Sequence, residues 1–201
     1  LSVYKAFTKG SAFNIGPEAD LFLAGPQNIK HLSDNKIAPG QKFFSTVMLD
    51  ASPNGNLAIV APEVCDAIDT TKYNFHINDF ATSYAETSLF ENNDWYSMML
   101  RGVTPVGLPV INNNDVIVSF GSVPAFANVT DQRNVDCSDP SIVWVSDPRT
   151  HPDGINNVNL VRITISPGKP LAPTTALEVS IPIQAKSSLI PGDMISNYAQ
   201  Y

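Results

Sequence analysis

Short apolar runs with a repeat of two, cut by proline- and glycine-rich turns, constrain this chain more than any other feature. In ALEVSIPIQAK, residues 176–186, Leu177, Val179, Ile181, Ile183 and Ala185 fall on one side of an extended strand. Glu178, Ser180, Gln184 and Lys186 fall on the other. That is the pattern of an antiparallel strand with one face on a core and one in water. Pro182 has no N–H to give to a ladder, which places this strand at a sheet edge. NLVRITIS alternates in the same way, with Val161, Ile163 and Ile165 inward. KFFSTVMLDA, NLAIVAPEV, KYNFHI, DVIVSFG and SIVWVSD read as further strands. APGQ, SPNGN, NNND, SDPRTHPDG, SPGKPLAP and IPGD read as the turns between them. The expectation is an all-β sandwich of about nine to eleven strands in two packed sheets.

No internal repeat or linker divides the sequence, so residues 1–201 are expected to form a single β-sandwich domain. A hydrophobic fraction of 43% is enough for a substantial core. Residues 79–112 fit the strand pattern least. They carry weak helical periodicity and the aromatic pair Trp95 and Tyr96, and read as a short helix or a long decorated connection.

Charge narrows the partners. Nineteen acidic against 12 basic residues give a net charge of −7, and no basic stripe occurs. Neither nucleic acid nor an anionic membrane surface suits such a chain. No apolar run approaches the roughly 20 residues that cross a bilayer as a helix. A chain that begins without Met or a signal peptide is what a processed secreted protein, or an excised domain, would look like.

The two ends carry the chemistry. In LSVYKAF, Leu1, Val3, Lys5 and Phe7 share a face, so an amine is aimed where the core should be. In ISNYAQY, Ile195, Asn197, Ala199 and Tyr201 share a face, so a carboxamide is aimed inward. A third polar group stands between them: Val60, Pro62, Val64, Asp66 and Ile68 alternate, with Asp69 as the fallback acid. Burial lowers the pKa of an amine and raises that of a carboxyl. A neutral lysine is a nucleophile, and a protonated acid can polarise an amide carbonyl and shuttle a proton to departing ammonia. Lys5, Asp66 and Asn197 therefore form a candidate set for an intramolecular isopeptide bond, with Asp66 as proton shuttle. The same residues also fit a snorkelling lysine, a capping asparagine or an ordinary buried ion pair. The bond would form once, so the chain is not expected to be an enzyme with turnover.

Several motifs, in order, resemble one family. LSVYKA, then KIAPGQKFFSTVML, VCDAIDTTKY and the closing SLIPGDMISNYAQY are similar to the conserved repeat of large bacterial and archaeal surface proteins known as domain of unknown function eleven. VTDQRNVDCSDPSIVWVSDP is similar to longer variants from actinobacterial surface proteins, which carry a paired upstream cysteine. The resemblance implies an immunoglobulin-like β-sandwich and a Lys5–Asn197 isopeptide assisted by Asp66. It also implies a secreted or cell-surface module of a fibre, stalk or adhesin. Neighbouring copies or tandem domains of the same surface protein would be its partners. The chain is longer than a typical repeat, and residues 79–112 have no counterpart in it.

Cys65 and Cys137 lack metal-site spacing. They are either two buried thiols or a disulfide, and the extracellular character of the rest favours the disulfide. Other candidates are weaker. Asp69, Asp115, Asp136 and Asp139 lie in Asx-rich loops that offer calcium ligands, although no EF-hand spacing occurs, and no other cofactor is expected. Asn128 in NVT fits a glycosylation acceptor. Trp95 and Tyr96 are candidates for stacking on a glycan or on a host protein, the alternative to a purely mechanical role. A third reading is a filament subunit that polymerises by strand donation through its terminal strands.

Overall fold

The computed structural model describes residues 2–8, 37–51, 58–78, 90–127, 129–195 and 197–200. These form two antiparallel sheets. The larger contains β1 (Ser2–Thr8), β2 (Lys42–Asp50), β4 (Tyr73–Phe75), β5 (Glu91–Asn92), β6 (Ser97–Gly102) and β9 (Thr175–Ala185). The smaller contains β3 (Glu63–Ile68), β7 (Val116–Gly121), β8 (Leu160–Ile165) and β10 (Asn197–Gln200). The large sheet runs β1-β2-β9-β6-β5, with β4 also paired to β9, and the small sheet runs β10-β3-β8-β7. Phe43, Val47, Leu49, Val179, Ile181 and Ile183 from the first meet Val64, Ile68, Val118, Phe120, Val161 and Ile163 from the second in one core. The alternation in the sequence is what fills this layer, because every second residue of each strand faces it.

The edge position inferred from Pro182 is corrected. β9 is central, with β2 along one side and β6 and β4 end to end along the other. Pairing with β6 stops at Ser180 and pairing with β4 starts at Ile183. The Pro182 carbonyl accepts from the His76 N–H on the β4 side. The N and O of a strand residue point the same way, so the missing N–H falls at the junction between β6 and β4. A proline there interrupts no ladder. The half-exposed face is corrected too: Glu178 and Ser180 are buried, as are Thr46 and Met48 beside them on β2. Thr46 and Ser180 share a hydroxyl hydrogen bond, and Arg101 Nε donates to Glu178 at 2.6 Å.

Three other strand expectations change. SIVWVSD forms no strand, and Val145 alone bridges to Phe120. Gly121 at the end of β7 explains how close that segment comes: a Cβ there would stand 2.9 Å from Ile142 and 3.0 Å from the Trp144 ring. Of NLAIVAPEV, residues 56 and 57 lie outside the described residues, and in the rest the strand starts at Glu63, apart from the bridge of Ile59 to Leu171. Ala61 has φ 46°, which breaks the alternation and turns Val60 out to solvent. Residues 79–112 are more than a connection, since β5 and β6 lie within them and β6 is built into the large sheet. Residues 79–89 lie outside the described residues.

Candidate functional site

β1 is the edge of the large sheet and β10 the edge of the small one. The two strands approach each other at the same side of the sandwich. On β1, Val3 and Phe7 pack against the core, and Lys5 stands between them, paired in register with the fully buried Val47. On β3, Val64 and Ile68 face the core with Asp66 between them at 0% exposure. The Lys5 ammonium donates to Asp66 Oδ1 across the sandwich, with the lysine side chain only 13% exposed. The fold thus brings Lys5 and Asp66 together in the core.

Asn197 enters through register. It pairs with Ile68, and the next inward position, Ala199, pairs with Asp66. Paired residues of antiparallel strands share a face. By register Asn197 thus stands two residues along β10 from the Ala199–Asp66 pair, and Ile195 and Ala199 on either side of it in sequence pack on the core.

Burial sets the electrostatics. Desolvation lowers the Lys5 pKa from 10.5 to about 8, against the opposing pull of the Asp66 charge and hydrogen bond. Desolvation raises the Asp66 pKa, again opposed by Lys5 and by a hydrogen bond from Ser45. Both shifts favour the neutral forms, a free amine and a protonated acid. Ser45 Oγ lies 3.5 Å from Asp66 Oδ2 and is fully buried. The sequence reading missed Ser45, although alternation with Phe43, Val47 and Leu49 marks it as a polar residue on the inward face. Phe7, Phe43 and Tyr73 wall this end of the site with ring centroids 5.3 to 6.1 Å apart in edge-to-face contacts. The Tyr73 phenol is held far from ionisation by burial and by the Asp66 charge.

Cys65 and Cys137 are joined in a disulfide with Cα atoms 5.9 Å apart. Because Cys65 precedes Asp66 on β3, it faces outward, into a second cluster with Ala67, Ile142 and Leu160. β3 is thus held on both faces, by an ion pair inside and a covalent bond outside.

The remaining candidates separate. Asp69 is a turn residue: its carboxylate accepts from the Thr71 N–H and hydroxyl. Asp136 and Asp139 cap Ser138 and Ser141 in the same way, and Asp115 accepts from the Asn112 N–H beside Lys169. All four calcium candidates make turn hydrogen bonds, and among the described residues no three His, Cys, Asp or Glu side chains gather as a metal site. Trp95 is corrected: it is buried in the core, with the Arg149 guanidinium 5.1 Å over its ring, and offers no open stacking face. Tyr96 is half-buried, 3.5 Å from the Glu91 carboxylate. Asn128 lies outside the described residues. No helix among the described residues is long and apolar enough to cross a membrane. No family model, curated protein or solved structure matches this chain.

Proposed function

We propose that this chain is an immunoglobulin-like module of an extracellular fibre, stalk or adhesin, locked by a Lys5–Asn197 isopeptide bond. The observation that carries the reading is the Lys5–Asp66 pair, buried between the sheets where the first and last strands meet. The Lys5 amine attacks the Asn197 side-chain carbonyl carbon. A new C–N bond forms, the bond to the original amide nitrogen breaks, and ammonia leaves with a proton relayed by Asp66. Nothing else is consumed, and Asp66 ends as it began. The disulfide agrees with an oxidising, extracellular setting, and the resemblance to the surface-protein repeat points the same way. Intact-mass measurement on the reduced chain tests the reading. The wild type is expected to weigh less than its sequence by one ammonia, and Lys5→Ala to have its full mass. Full mass in the folded wild type would overturn it.

A further inference from the structure

The register of β3 ties the disulfide to the cross-link site. Cys65 pairs with Gln200 and Asp66 with Ala199, so adjacent residues of β3 hold adjacent residues of β10. β10 has four residues and, among the described strands, pairs with β3 alone. So short an edge strand frays easily unless something covers it. The helix α1 (Val129–Arg133) packs against both β3 and β10. At five residues it is far too short to be stable alone. Gln132 within it is buried, and its flanks are anchored: Phe126 before it, and Val135 and Cys137 after it, sit in the outer cluster, and Cys137 is bonded to Cys65.

We infer that the Cys65–Cys137 disulfide clamps α1 over β10 and so sets Asn197 in register beside Asp66, making oxidation the gate for the cross-link. The gating rests on the isopeptide reading; the clamp does not. In the gating step the two thiols give two protons and two electrons to a small disulfide oxidant, which leaves as two thiols. The amide exchange that follows releases ammonia and needs no oxidant.

The test starts from chain isolated unfolded and reduced, then refolded with oxidised glutathione or with excess reduced thiol. Intact mass then follows ammonia loss. Wild type is expected to cross-link roughly ten-fold faster or more with the oxidant, as loss of a fraying strand's alignment implies. The Cys65→Ala/Cys137→Ala double variant, with native circular dichroism, is expected to be slow in both conditions. Equal rates in all arms would overturn the gate. Hydrogen exchange on Asn197→Ala, which cannot cross-link, reads the clamp separately. Reduction is expected to cut protection of the Tyr198 and Gln200 amides, which face β3, roughly ten-fold, and unchanged protection would overturn the clamp. If no arm loses ammonia but protection still falls on reduction, the cross-link and its gating fail and the clamp stands.

Discussion

Lys5 and Asp66 lie where neither can be comfortably charged alone. Removing the acid should therefore do two things. Asp66→Ala is expected to leave the chain at full mass and, against an Asn197→Ala control that also lacks the bond, to lower stability by roughly 3–5 kcal/mol, as breaking a buried pair does. Chemical denaturation checks the second effect. The pH profile of ammonia release during refolding carries a sharper signature. The reactive state has one proton on the pair, with the amine free and the acid protonated. At low pH, below the raised Asp66 pKa, a second proton loads the amine; above the Lys5 pKa, near 8, the acid loses its proton. The profile is expected to be a bell whose alkaline limb falls near pH 8. A rate still climbing beyond pH 10, as for a solvent lysine, would contradict the assigned environment. The inward aim of Lys5 and Asp66 is legible because a strand's period of two turns any misplaced polar residue into a visible exception. Ser45 obeys the same alternation, but a small hydroxyl on an inward face is common in strands and marks no chemistry by itself. Whether the asparagine meets the amine depends on pairing across two sheets, which alternation along one strand does not encode.

At the scale of elements, regular strands were readable and their neighbours were not. β2, β7, β8 and β9 fall where the pattern puts them. SIVWVSD has strand composition but is held by a turn and by contact with Gly121, a tertiary effect with no local signal. Pro182 misled because an absent N–H matters only if a neighbour needs it, and here two short strands leave a gap at that residue. The burial of Glu178 and Ser180 was hidden for a similar reason: polar residues outside a core face look solvent-exposed until something covers the sheet. The Gly121 contact makes a prediction of its own. Gly121→Val would push Ile142 and Trp144 off the end of β7 and is expected to cost about 1–3 kcal/mol, the usual range for overpacking, while leaving the ammonia loss intact. A thermal melt with intact mass on the same sample checks both.

Across the whole molecule, β1 begins and β10 ends at the same pole, where β2 finishes, β9 starts and β8 finishes. A load on both ends would peel these two edge strands until it reached Lys5 and Asn197. With the bond formed, residues 6–196 lie outside the load path. Pulling the ends in a single-molecule instrument is then expected to release only the few residues beyond the bond. With the disulfide intact, which keeps a 72-residue separation out of the load path, Lys5→Ala should instead release roughly 400 Å more contour, at about 3.4 Å per residue. The disulfide closes a 72-residue separation and, by the chain-entropy estimate, contributes about 4 kcal/mol, so the two links together would fix both faces of β3. The most direct measurement is tryptic mapping of the reduced chain with fragment sequencing. A bonded Lys5 resists cleavage, so a branched peptide joining residues 1–9 to 187–201, lighter than its parts by one ammonia, is the predicted product. Separate linear peptides, with cleavage after Lys5 and Asn197 unmodified, would contradict the account.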